Sequence, residues 1–177
     1  MNTTIDILMA HKSIRKFTDK PIGNDVLQTI VKAGQAAASS SFLQGVTIIR
    51  VTDPNKRKQL AAVAGNQTQV ISAPEFLVFC ADLSRPIKCC ESHGGIPTKG
   101  FTEQFIISTV DTALYAQNAA IAAEAIGLGI CTLELSVMIR RKLALCWSCH
   151  CMCTLCLVYA LVIRLKTLKS SHDYPFL

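Results

Sequence analysis

Charge is scarce in this chain: 17% of its 177 residues are Asp, Glu, Lys or Arg, against 50% that are apolar. So little charge beside so much apolar surface excludes an unfolded chain and points to one packed core. Aromatic residues are few as well, at 6%. They form no stripe with basic residues, and the formal charge of +6 is unevenly placed. From Thr132 onward six Lys or Arg face only Glu134 and Asp173, which leaves +2 for residues 1–131. A nucleic-acid partner is therefore not expected. The opening residues, Met1-Asn-Thr-Thr-Ile-Asp6, lack a basic stretch followed by an apolar one, so no secretion signal is expected. Cysteine is sparse in the front part, where only Cys80, Cys89 and Cys90 precede residue 131, and a reduced, cytoplasmic setting is expected. Also missing is any Ser-His-Asp or Cys-His set that could supply a side-chain nucleophile.

What is present up to Cys131 follows the pattern of an α+β domain. Ile5, Leu8 and Met9 mark a short amphipathic helix ending near His11. Asn24 is a candidate cap for a helix to about Ala38, with Val26, Leu27, Ile30, Val31 and Gly34 facing inward. Val46 to Val51 is β-branched and strand-like. Asp53-Pro54 reads as a cap and first-turn proline for a helix that buries Leu60 and Val63. Glu75 to Ala81 is a second apolar strand. A loop from Arg85 to Gly100 precedes a long helix over about Glu103 to Ile126. Its small face of Ala113, Ala116, Ala120 and Ala123 permits close packing, and Gly127-Leu-Gly129 stops it.

Two groups of donors stand out. His11, Lys12, Ser13 and Arg15 offer several charged or hydroxyl donors within five residues, a set suited to an anion and also ordinary for a solvated helix end. Ser39 and Ser41 sit in a serine-rich turn that equally reads as a plain helix ending. Gln67 offers an amide, and reads otherwise as an exposed polar residue at a helix cap.

Past Cys131 the pattern changes. Six of the nine cysteines fall between positions 131 and 156, and 143–163 is almost unbroken apolar sequence. Cys146-Trp-Ser-Cys149-His150 has the spacing of c-type haem attachment, but a cysteine-rich run produces that short motif readily. Cys149, Cys151, Cys153 and Cys156 alternate, without the paired spacing of a structural zinc site. The run 143–163 is long enough to cross a bilayer and is flanked by Arg140, Arg141 and Lys142 before it and Arg164 and Lys166 after it. On hydropathy alone a membrane-anchored binding protein stays open as an alternative.

Residues 1–131 closely resemble the nitroreductase superfamily, in its NADPH-preferring nitro/flavin reductase branch. The resemblance rests on several blocks: His11-Lys-Ser-Ile-Arg15-Lys-Phe17, Ser39-Ser-Ser-Phe-Leu-Gln44, Gly65-Asn-Gln67, Glu75-Phe-Leu-Val-Phe-Cys80, and Val110-Asp-Thr112 with Ala116-Gln-Asn118. It implies a three-layer fold, a central mainly antiparallel sheet flanked by helices, incomplete here toward the C-terminal end. It implies FMN as cofactor, held by His11, Lys12, Ser13, Ile14, Arg15, Ser39, Ser41 and Gln67, with the first group on the phosphate and Gln67 on the isoalloxazine edge. It also implies NADPH as co-substrate, planar acceptors such as flavins, nitroaromatics and quinones, and a homodimer with FMN at the subunit interface. Neither a metal nor a catalytic side chain is implied, because the cofactor carries the chemistry. Cys89-Cys90 falls where the family varies in length and reads as surface, since vicinal cysteines form only strained disulfides.

The family's later blocks are missing after Cys131, and the genetic code suggests why. Thr132-Leu-Glu-Leu-Ser-Val-Met-Ile-Arg140 can be encoded so that one added thymidine in front reads Tyr-Ile-Gly-Val-Ile-Arg-Asn-Asp-Pro, a family block. The same shift can carry Cys156-Leu-Val-Tyr-Ala160 into part of a Phe-Gly-Leu-Cys-Val-Gly-Tyr-Pro block, and Lys169-Ser-Ser-His-Asp-Tyr174 into Val-Lys-Pro-Arg-Leu. The expectation is a partial nitroreductase domain over 1–131 and an out-of-frame tail over 132–177. That tail would lack the backbone beside the flavin, two cations and the C-terminal arm, leaving activity doubtful and an apolar segment without a partner face.

Overall fold

Two helical layers sandwich one sheet. The structure, a computed structural model, describes residues 3–18, 20–98, 100–135 and 158–165. Strands β1 (Val46–Arg50), β2 (Glu75–Ala81), β3 (Leu128–Leu135) and β4 (Val158–Leu165) form a sheet of order β1-β2-β4-β3, with every neighbouring pair antiparallel. The alternation of side chains splits the core in two. Phe76, Val78 and Cys80 of β2 and Cys131 and Leu133 of β3 face one side, against Leu60, Ala61, Val70 and Ala73. Leu77, Phe79, Leu128 and Ile130 face the other, against Leu27, Ile30, Tyr115, Ala119 and Ala123. Period-2 strands buried on both faces read as continuous apolar runs, which is why β2 is buried along its whole length.

Helices α2 (Asn24–Gln35) and α6 (Thr102–Ala125) cover the second side. A Cβ on Gly34 would lie 3.2 Å from the Tyr115 carbonyl, so the two helices meet where both are small. Ala116, Ala120 and Ala123 are buried as expected, and so is Ala119, while Ala113 is only half-buried. Gly127 ends α6 in the left-handed region at φ +83. On α2 two expectations need correcting. Gly23 holds the cap position and Asn24 lies inside the helix, where its side chain accepts from Arg50 Nη1 at 3.3 Å. Val26 is 37% exposed rather than inward-facing, and the helix stops at Gln35.

Helices α3 (Pro54–Val63) and α4 (Thr68–Ser72) cover the first side. Asp53 caps α3 by accepting from the Asn55 amide at 2.8 Å, as its sequence suggests. Leu60 is buried, while the side chain of Val63 lies outside the described residues. Arg57 closes the base of this excursion. It donates to the carbonyls of Val51, at 2.8 Å, Ala73 and Pro74; burial lowers its pKa, the charge of Glu75 pulls the other way and Arg50 adds to the drop. Beside it Arg50 and Glu75 form an ion pair, with Nε to Oε2 at 2.8 Å.

The stretch expected as a loop contains helix α5 (Ser84–Ser92), begun by Asp82, whose carboxylate accepts from the Ser84 amide at 2.8 Å. Cys89 and Cys90 are free thiols on it. Helix α1 (Thr3–Met9) buries none of its residues, so Ile5, Leu8 and Met9 stand exposed.

Beyond residue 131 the sheet continues. β3 runs on to Leu135, and β4 pairs Glu75–Phe79 of β2 on one side and all of β3 on the other. This part of the tail therefore has partners on both edges, contrary to the expectation of none. Residues 158–163, the end of the apolar run, are strand rather than helix. Residues 143–157, with the haem-like and alternating cysteine motifs, lie outside the described residues. Among the described residues no helix is long and apolar enough to cross a membrane, and no cluster of His, Cys, Asp or Glu could hold a metal ion.

Candidate functional site

The donor segment His11–Arg15 wraps the free edge of β3. Ser13 forms a parallel bridge with Ile130, and the Ile14 amide donates to the Ile130 carbonyl at 2.7 Å. Gly129 makes this approach possible, because a Cβ there would sit 3.0 Å from Ile14 Cγ1. At one end of the segment, His11 Nδ1 is 2.8 Å from Glu124 Oε1 on α6. At the other, Arg15 reaches Cys131 on the opposite face of the sheet. Burial raises the Cys131 thiol above its ordinary value, and the charge and hydrogen bond of Arg15 pull in the opposite direction.

These anchors decide which donors remain. The Ile14 amide is spent on the sheet, so Ile14 is a fixing point and its amide is not open to a ligand. His11, Lys12, Ser13 and Arg15 are exposed. The His11 Nδ1 bond to a carboxylate leaves Nε2 without a partner among the described residues. Nor does any carboxylate pair with Lys12 or Arg15 among the described residues. A cationic, hydroxyl-bearing edge without competing acids suits a phosphate dianion.

Ser39 and Ser41 belong to a single 3-10 turn over Ser40–Phe42, with Ser39 at its cap. The turn is strained. Ser41, Phe42 and Gln44 all have positive φ, at +50, +56 and +50. Its Ser40 amide donates to both carboxylate oxygens of Asp111 on α6, at 3.1 and 3.2 Å. Gln67 caps α4, half-buried, after a left-handed Gly65-Asn66 pair, and its side-chain oxygen accepts from Gln69 Nε2. Among the described residues no hydrogen bond joins the three segments to one another; β3, α6 and α4 each present one of them.

Sequence reasoning missed Asp111 and Glu124 as anchors, although both left a signal. Asp111 is an acid on the buried face of a helix whose neighbours inward are Thr112, Tyr115 and Ala116. Glu124 sits in the last turn, where the helix dipole disfavours a negative charge. A residue placed against such a preference needs a partner, and His11 is that partner.

The sequence profile of the Nitroreductase family matches residues 8–145. The chain belongs to the Nitroreductase family. It is 52% identical over 132 residues to the NADPH-flavin oxidoreductase of Vibrio harveyi, covering 73% of this chain and 52% of that protein. It is 46% identical over 133 residues to the FMN reductase (NADPH) of Bacillus subtilis, covering 74% and 53%. Nitroreductase A from Vibrio parahaemolyticus superposes with a TM-score of 0.86 at 38% identity, over 98% of this chain and 72% of that one. The three-layer architecture expected from the resemblance is thus that of its solved relatives. The chain spans about half the length of the curated relatives it matches.

Proposed function

We propose that this chain carries the FMN-binding part of an NADPH-dependent flavin and nitro-compound reductase, acting in the cytoplasm. The observation that carries the reading is the sheet-edge segment, whose cations and hydroxyl are held outward while its backbone is tied to β3. His11 through Nε2, with Lys12, Ser13 and Arg15, would hold the FMN phosphate, and Ile14 would fix their spacing. Ser39 and Ser41 would add hydroxyl or backbone donors, and the Gln67 amide would meet the isoalloxazine edge. The relatives' names support the same cofactor and co-substrate. When bound, FMN would supply the redox chemistry, taking a hydride from NADPH and passing it to a planar acceptor such as a flavin, nitroaromatic or quinone. The chain's own residues bind and orient; none acts as nucleophile.

A homodimer belongs to this reading. Ile106, Val110 and Leu114 recur every four residues along α6 and are 53%, 51% and 43% exposed. Apolar rows at this spacing on a helix face call for a partner, and a second copy offers the same row.

We further propose that 132–177 is read out of frame, so that this chain retains FMN weakly and oxidises little NADPH. The test is to purify the chain, record its flavin absorbance, and titrate FMN against its fluorescence. The expected result is substoichiometric yellow colour with saturable quenching at high FMN. No quenching at any concentration would remove the FMN reading, and tight stoichiometric flavin with rapid turnover would remove the frame reading.

A further inference from the structure

We infer that Asp111 is a positioning residue: its carboxylate holds the Ser39–Ser41 turn in the strained shape that presents donors to the cofactor phosphate. The inference rests on the FMN reading above and adds to it a residue that touches no cofactor. Asp111 is 3% exposed, in the middle of α6, and both of its oxygens lie within hydrogen-bond reach of the Ser40 amide. A buried carboxylate can only accept, so it cannot swing to offer a donor against that amide. The turn needs such an anchor. Non-glycine residues in the left-handed region cost roughly 1–2 kcal/mol each, and three of them fall between positions 41 and 44. Two internal bonds close the turn, Phe42 amide to Ser39 carbonyl at 3.2 Å and Leu43 amide to Ser40 carbonyl at 3.0 Å. Side-chain burial does not hold it, since Phe42 is 79% exposed. Its far end is fixed by Arg85 on the Gln44 carbonyl at 3.1 Å and by the Asp82 amide on the Gly45 carbonyl at 2.8 Å. The serine end has Asp111.

Strain concentrated beside a ligand site, and held by one charge-assisted bond from a rigid helix, is the arrangement expected of preorganisation. Asp111 therefore sets the direction of the Ser39 and Ser41 groups before the cofactor arrives, so its loss should weaken cofactor binding without removing any group that touches it.

The experiment compares the full chain with Asp111→Ala, Asp111→Asn and the double variant Asp111→Ala with Gln44→Gly. Two readouts are used: hydrogen exchange at the Ser40 amide without cofactor, and FMN fluorescence titration. Asp111→Ala should speed Ser40 exchange and weaken FMN about tenfold, the worth of one such bond. Asp111→Asn keeps an acceptor oxygen and should recover most of the affinity. Gln44→Gly relieves one left-handed residue and should return part of what Asp111→Ala loses, a rescue that a purely structural role of Asp111 would not give. Should Asp111→Ala fail to fold, Asp111→Asn decides through the part of the affinity it does not recover: that smaller loss of FMN binding should be matched by faster Ser40 exchange and returned in part by Gln44→Gly. Unchanged FMN affinity in a variant whose Ser40 amide is released overturns the inference and leaves the FMN reading intact. No FMN binding by the parent chain overturns the FMN reading, and the positioning role with it.

Discussion

Arg15 leaves the sheet edge beside the buried Cys131 thiol, and among the described residues no carboxylate pairs with it. A charge-assisted bond to a phosphate is worth about 1.5–3 kcal/mol, so Arg15→Ala should weaken FMN by about ten- to hundredfold in a fluorescence titration. Its unfolding midpoint should stay nearly unchanged, because the backbone at 13–14 makes the sheet contacts. Asp82 plays a different part. Burial opposes its charge, but bonds from the Ser84 amide at 2.8 Å and the Thr47 hydroxyl at 2.6 Å, with Arg85 nearby, more than offset this and hold its carboxyl below the ordinary 3.8. A depressed folded-state value means stability that is present above the unfolded value and disappears as pH falls through the folded one. Asp82→Asn should therefore lose about 1 kcal/mol at pH 7 and progressively less as the pH falls below the ordinary carboxylate value, read from urea unfolding across an acid pH series. At this scale the sequence revealed the donors themselves, because residue type alone marks them. It did not reveal their anchors. The partners of His11 and Ser40 lie 113 and 71 residues away, where no local pattern reaches.

Elements were legible where periodicity is strong. Strands β1 and β2 begin where their β-branched and apolar runs begin, and α6 runs between its expected limits within a residue at each end. Helix α5 was hidden because Gly94, Gly95 and Pro97 colour its neighbourhood as loop, while Asp82 at its entry is two residues upstream of the first helical position. The α2 cap was misassigned by one residue because Gly23 caps through backbone geometry, without a side-chain signature. β4 was obscured by a run of apolar residues too long for an ordinary strand, which hydropathy alone reads as a span. Its place between β2 and β3 makes it the hinge of the sheet's stability: removing it would bare two edges at once. Val162 pairs with Phe76 on one side and Cys131 on the other. Proline there loses a ladder bond in a central strand, at about 3 kcal/mol or more. Val162→Pro should abolish the cooperative melt followed by circular dichroism. A variant that melts like the parent would mean that the strand contributes nothing to the fold.

At the scale of the whole molecule, a sheet and a binding site ask different things of the same tail. The sheet asks for an apolar, β-branched run of about eight residues, and 158–165 supplies it in the frame as written. On the proposed reading the site would ask for particular residues, backbone beside the flavin and cations near it, and a shifted frame would retain those only by accident. A tail could therefore complete the fold and still fail the chemistry, and under the frame proposal that would account for a chain that superposes on nitroreductase A over 98% of its length but matches its curated relatives in sequence over 73–74% of it. The frame proposal makes this measurable. Inserting one thymidine before the Thr132 codon should restore Tyr-Ile-Gly and the later Lys-Pro-Arg without touching residues 1–131. Because both chains keep His11–Arg15, the Ser39–Ser41 turn and Gln67, any difference between them belongs to the tail. The expected outcome is that the edited protein purifies with close to one FMN per chain and oxidises NADPH in the presence of a quinone, at a rate at least a hundredfold above the parent, about 2.7 kcal/mol of transition-state stabilisation. Both should share the far-ultraviolet signature of a mixed α/β sheet protein. If the edited chain gains neither flavin nor turnover while folding normally, the frame proposal falls and whatever flavin binding the parent shows belongs to the chain as written.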